Sequence, residues 1–222
     1  MNTGSPVRAS ARNERRIGIS GHVELPLVVE LDDGTPLLLR LGTSDDRDAL
    51  VAGFARLSGA SRFARFFTGI HRLSDIDVER LLDIDTSRHV AVVAEDMPRM
   101  SDVEDQTEGL GVGVARYITS STDPTRAEIA ITVIDEYHGR GIGRLLLDAL
   151  IDHAADHGIT TGTATVLSVN TKMLGLLISM GATPRPDPVD RTIVELEIPV
   201  EPDHDGRSHL LSNLRLAAGC DA

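Results

Sequence analysis

The chain alternates between two hydrophobic rhythms, and the switch between them divides it into recognisable segments. Residues 22–31 and 37–41 are short apolar-rich, strand-like stretches, and Asp32-Asp33-Gly34 between them predicts a hairpin turn. A helical period follows: Leu50, Phe54 and Leu57 share one face, Thr43 stands where an N-cap belongs, and Asp45 and Asp46 fall in the first turn. Gly59 interrupts this pattern before a second helical stretch with Phe63, Phe66 and Phe67. All four phenylalanines lie between positions 54 and 67, which predicts core packing for them. Ser74-Asp75-Ile76-Asp77 has the spacing of a capping box that opens a third helix.

From His89 onward the pattern is that of strands and long helices. Residues 89–95, 111–118 and 126–134 are β-branched and apolar enough to be buried strands. Residues 96–108 read as a solvated acidic loop; together with Glu95 they hold six carboxylates against Arg99, a charge that would steer a cationic partner. A long amphipathic helix runs to His157, with Leu145, Leu146, Ala149, Leu150 and His153 on its apolar side and Gly158 as its stop. Residues 161–169 predict another strand, Asn170 caps a further helix ending at Gly181, Pro184, Pro186 and Pro188 predict a stiff loop, and residues 192–200 a last strand. Antiparallel strands followed by strand–helix–strand–helix define a mixed α/β (α+β) domain with one crossover unit.

At 222 residues, this is one domain with trimmings: residues 1–20 a flexible arm, 21–200 the domain, and 201–222 a tail. Leu210, Leu211 and Leu214 could make 209–218 a short amphipathic helix that docks on the domain or on a second subunit, and a homodimer is left open. No apolar run approaches the ~20 residues of a membrane span, and 1–20 is polar and Arg-dotted rather than a secretory leader. A cytoplasmic, non-membrane protein is expected. The formal net charge of −12 and an aromatic content of 3% argue against nucleic acid and for cationic partners such as amines. Cys220 is the single cysteine, which excludes an internal disulfide and a cysteine-based zinc cage. His153 and His157 have the i, i+4 spacing of a zinc pair but no accompanying H-E-x-x-H pattern, so no metal is assigned.

The chemistry concentrates where a strand meets His138-Gly139-Arg140-Gly141-Ile142-Gly143 and the long helix. Three glycines in five positions let a ligand approach the backbone, and the unpaired first amides of the helix suit a pyrophosphate. Arg140 and Arg144 could add charge-assisted bonds. The spacing is neither a P-loop nor a Rossmann fingerprint, so by itself it leaves an anion site and a tight structural turn both open.

Ile131-Thr132-Val133, the turn His138-x-x-Gly141-x-Gly143, the long helix, the next strand and Asn170 together resemble the GNAT superfamily of acyl-CoA-dependent N-acyltransferases, over roughly residues 38–200. His138 departs from the Gln or Arg that opens the family's turn. Upstream, Phe54-x-x-Leu57-Ser58-x-x-Ser61-x-x-x-Arg65-Phe66-Phe67, Ala91–Ala94, Val114–Tyr117 and Ala127-Glu128-Ile129-Ala130 look like the catalytic domain of bacterial Pat-type protein lysine acetyltransferases.

The resemblance implies a mostly antiparallel sheet flanked by helices, with a splayed central strand pair that holds the pantetheine arm of acetyl-CoA. It implies backbone contacts from Ile131 and Val133, with Thr132 between them in the cofactor-binding segment, and pyrophosphate contacts from His138, Gly139, Arg140, Gly141, Ile142, Gly143 and Arg144. Asn170 would bond the pantetheine, and Glu128 would be the catalytic base. A lysine amine titrates near 10.4, so baring it at pH 7 costs about 4.6 kcal/mol, and partial burial of Glu128 would make it a better acceptor. Where many family members carry a general-acid Tyr, this chain has Leu177, with neither of its two tyrosines near it in sequence. The expected activity is acetyl transfer from acetyl-CoA to a lysine of a protein. A small-molecule amine acetyltransferase and a non-catalytic acyl-CoA-binding module are the alternatives.

Overall fold

The computed structural model describes residues 25–97, 109–187 and 189–201. The arm expected at 1–20, the acidic stretch from 98 to 108 and the helix expected at 209–218 lie outside these residues. Eight strands form one sheet in the order β1-β2-β3-β4-β5-β6-β8-β7. They are β1 (Leu27–Glu30), β2 (Pro36–Leu41), β3 (His89–Asp96), β4 (Leu110–Thr119), β5 (Arg126–Val133), β6 (Thr161–Leu167), β7 (Thr183–Pro186) and β8 (Ile193–Pro199). Every neighbouring pair is antiparallel except β5–β6. That parallel pair requires a crossover, which the helix α4 (Ile142–Asp156) supplies.

The two faces of the sheet carry different helices. On β4, Gly113 and Tyr117 face α4: a β-carbon on Gly113 would meet Leu146, and the Tyr117 hydroxyl reaches His153. Alternation therefore turns Val114 and Arg116 to the opposite face, under α1 (Arg47–Ala55), α2 (Gly59–Phe66) and α3 (Asp75–Leu82). Leu145, Leu146 and Leu150 of α4 are at most 2% exposed, and burying side chains of this kind contributes about 1.5–3 kcal/mol each.

Local signals hold at several ends. Ser74 and Asp77 form the reciprocal capping box of α3, Asn170 Oδ1 accepts from Met173 N–H at the start of α5 (Thr171–Ser179), and Gly158 ends α4 with φ +78°. Others need correction. The N-cap position of α1 is Asp46, not Thr43, and its carboxylate caps nothing because Arg40 Nη2 holds it at 2.6 Å. Pro184 and Pro186 lie in β7 rather than in a loop; β7 is an edge strand, where a residue without N–H is tolerated. Phe54 is buried and Phe66 packs against the core, but Phe63 and Phe67 are 47% and 40% exposed, so only part of the aromatic group is core. Glu95 ends the strand as expected and pairs with Arg40, but Asp96 still belongs to β3 instead of opening a loop and accepts the Tyr137 hydroxyl.

His153 serves the packing of α4. Burial of Tyr117 pushes its phenol up to about 12, so the hydroxyl stays protonated, and it shares a hydrogen bond with His153 Nδ1 at 3.2 Å. Burial, then the His157 ring stacked at 4.1 Å, lower His153 to about 4. The unfolded chain takes up this proton near 6.5 and the folded one near 4, so between those values unfolding binds protons and stability falls as pH drops. Melting curves from pH 7 to 5 should show a decline that His153→Phe flattens; an unchanged slope in the variant would remove His153 from the account.

Candidate functional site

β5 and β6 pair only over Arg126–Glu128 and Thr161–Thr163. Beyond that register the strands part, and a cleft of about 530 Å³ fills the gap. Its floor and walls come from β5 residues 128–133, Ala164, Thr165 and Val166 of β6, the turn before α4, and α5. The phase of the β4–β5 ladder follows from one bond, Ile134 N–H to Val112 O at 2.9 Å, beside the pair Val133↔Gly113. Antiparallel alternation then gives the peptide groups of Thr132 and Ala130 to β4 and turns those of Ile131 and Val133 toward the gap. His138 Nε2 bonds the Val133 carbonyl at 2.8 Å, so the residue that departs from the family's turn braces the strand end.

The three glycines have different reasons to be glycine. Gly139 and Gly141 adopt φ of +77° and +83°, and a β-carbon on either would meet no protein atom within 4 Å. A side chain there would enter space that the protein leaves open in front of the first amides of α4. Gly143 is instead a close-approach position, where a β-carbon would stand 3.3 Å from Leu176 and 3.7 Å from Ile131. Backbone conformation, open space and an N-terminus pointing into the cleft fit a pyrophosphate.

The arginines are placed less simply. Arg140 turns away to the β1–β2 hairpin, bonding Asp33 Oδ2 at 2.5 Å and Thr35 Oγ1 at 2.6 Å, with its guanidinium 4.7 Å above the Tyr137 ring. Arg144 lines the cleft but holds Asp148 at 2.9 Å along the helix. To reach a phosphate in the cleft, either would first have to release its carboxylate. Ile142 is buried in the core, where it anchors the helix start. Asn170 lines the cleft, and its capping role uses the amide oxygen, leaving the NH2 for a ligand.

At the opposite end of the cleft stands Glu128, the one carboxylate among the described residues that line it. It is exposed rather than partly buried, because its side chain leaves the sheet where the β6 ladder ends. Sequence reasoning assigned Phe67 to the core and left Tyr137 and Lys172 unplaced, and all three line the cleft. Arg65 does too, and only the upstream motif hinted at it. Arg65 feels the charge of Glu128 while burial lowers its own pKa. The position of the usual general acid, Leu177, is buried in the wall. Tyr137 reaches the cleft after all, but its hydroxyl donates to Asp96, and burial followed by that bond pushes it up to about 12.

A mostly antiparallel sheet opened at one parallel pair, with a glycine turn at the mouth of the opening, defines an acyltransferase fold. The chain belongs to the acetyltransferase (GNAT) family, whose model matches residues 63–182. It is 32% identical over 167 residues to an acetyltransferase of Pseudomonas aeruginosa, covering 75% of this chain and 86% of that protein. It is 28% identical over 177 residues to the acetyltransferase Pat of Mycolicibacterium smegmatis, covering 78% of this chain and 49% of that longer protein. Among solved structures it resembles the GNAT domain of S. lividans PAT, with a TM-score of 0.66 at 29% identity over 78% of this chain and 96% of that one. The Salmonella typhimurium protein yncA, solved with its cofactor acetyl-CoA, shares the fold at a TM-score of 0.54 and 18% identity, covering 74% of this chain and 94% of that one.

Proposed function

We propose that this protein transfers acetyl from acetyl-CoA to a lysine ε-amine of a protein by direct attack in a ternary complex, with Glu128 as general base. The observation that carries the reading is the placement of Glu128, the lone cleft-lining carboxylate, at one end of the gap while the Gly139 to Arg144 turn occupies the other. Backbone groups of Ile131 and Val133 pair with the pantetheine arm as a strand would, and an N–H of this edge polarises the thioester carbonyl. The amine nitrogen bonds the carbonyl carbon, the C–S bond breaks, and the sulfur leaves as thiolate. Glu128 takes the amine proton, directly or through a water. With Leu177 in place of a tyrosine and the Tyr137 hydroxyl committed to Asp96, the thiolate leaves without a protein acid; a thiol titrates near 8.5.

Two features favour a protein acceptor. Glu128 sits at an exposed rim where a lysine side chain can reach it, and the net charge of −12 attracts cationic surfaces. The likeness to Pat domains points the same way. Incubation with radiolabelled acetyl-CoA and a lysine-rich protein should yield labelled Nε-acetyl-lysine on hydrolysis. Label confined to free small amines would transfer the assignment to a small-molecule acetyltransferase, and no turnover with any amine would leave only an acyl-CoA-binding module.

A further inference from the structure

Behind β4 and β5, on the face under α1, α2 and α3, lies a second chamber of about 100 Å³. Leu50, Phe54, Phe66, Leu81, Ile84 and Val114 make much of its wall apolar. Gly111 and Ala130 keep its floor open, since longer side chains at these positions would fill it. The chamber meets the acyltransferase cleft at Arg65, Ala130 and Thr132, which line both.

Two arginines stand in this apolar space. Arg116 is 6% exposed, and among the described residues its guanidinium makes one hydrogen bond, from Nη1 to Leu81 O at 3.0 Å, although it carries five N–H donors. Neither Arg116 nor Arg65 makes a salt bridge to a carboxylate among the described residues. Asp46 also lines the chamber, but its carboxylate is held by Arg40. Burial lowers both guanidiniums, Arg116 to about 10 with Arg65's charge adding to the effect, as expected for like charges kept close in a dry place. His89 beside them is itself lowered by burial and by Arg116, so it adds no third cation near neutral pH. Arg65 has the charge of Glu128 nearby without an ion pair to it, whereas Arg116 is buried with no salt bridge among the described residues, a costly arrangement between apolar walls.

We propose that this chamber receives the acyl chain of the donor and that Arg65 and Arg116 bind a carboxylate at the distal end of that chain, so that the preferred donors include short dicarboxylic acyl-CoA thioesters of the succinyl type. The inference rests on the reading that the thioester lies along β5. From there a chain of a few carbons can pass Ala130 and Thr132 into the chamber, whereas a polypeptide segment is too large for about 100 Å³. Walls of Leu, Ile, Val and Phe suit the methylenes, and the arginine pair suits the carboxylate. The reaction is otherwise unchanged. The amine bonds the acyl carbon, the C–S bond breaks, the amine proton passes to Glu128, and the distal carboxylate takes no part.

The test compares succinyl-CoA with butyryl-CoA, which has the same chain length and no charge, by calorimetry on the whole protein without an acceptor. Succinyl-CoA should bind about ten- to a hundredfold more tightly, the effect of a charged hydrogen-bonded end. Arg65→Met and Arg116→Met should each collapse this ratio toward one. If Arg116→Met does not fold, Arg65→Met, on a helix at the rim, decides alone. Butyryl-CoA binding as tightly as succinyl-CoA, or a ratio that survives Arg65→Met, overturns the proposal. So does an amino-acid panel in which a carboxylate-bearing acceptor binds the CoA-loaded protein through Arg65 while the two thioesters bind alike, because the carboxylate would then belong to the acceptor. Loss of binding by free CoA as well would overturn the donor site and this proposal together; intact CoA binding with no thioester preference overturns this proposal alone.

Discussion

Glu128→Gln is expected to lower kcat at pH 7 by about 10²–10⁴-fold while binding of acetyl-CoA is retained. Glutamine keeps the size of the side chain and one carbonyl oxygen but has no site for the amine proton. The loss should shrink as pH rises to about 9–10, where more of the substrate amine is already neutral and the base has less to do. Activity as a function of pH for wild type and variant, with acetyl-CoA binding measured alongside, gives the answer. A variant that keeps full activity at pH 7 removes Glu128 from the mechanism. Glu136 is a poor substitute, because it pairs with Arg56 at 2.7 Å and does not line the cleft.

Gly141→Val should weaken CoA binding by about tenfold or more. Two effects act together. At φ +83° a β-branched residue is strained by roughly 1–3 kcal/mol, and its side chain occupies the open space in front of the α4 amides. Gly141→Asn separates them: Asn tolerates the left-handed region, so it relieves most of the strain while still placing atoms in the path of a ligand. Both folded variants should lose affinity by calorimetry if the turn cradles a pyrophosphate. CoA binding to both as tightly as to wild type would make the turn purely structural.

The helix and strand pattern was readable wherever a short-range rule governs. The capping box at Ser74, the Asn170 cap, the Gly158 stop and the apolar stripe of α4 each depend on neighbours within one or two turns, and each stands as expected. Where a distant residue competes, local rules fail. Arg40 on β2 claims the carboxylate of Asp46 and leaves α1 without a side-chain cap. Pro184 and Pro186 read as a loop because proline weakens a strand in general, yet β7 has one free edge and pairs to β8.

The same division runs through the candidate site. By itself the sequence determined the glycine turn, the strand before it and the carboxylate at 128, since turn conformation and strand alternation are set by residues adjacent in the chain. Only the tertiary structure decided that β6 leaves β5 after Glu128 and that Arg140 swings to the hairpin while His138 braces Val133. It also decided that Arg65, Phe67 and Lys172 line the cleft. The reason is physical. A cleft is bounded by where strand pairing stops, and that point depends on how α2, α4 and α5 fill the space on each side, which involves contacts between residues far apart in the chain.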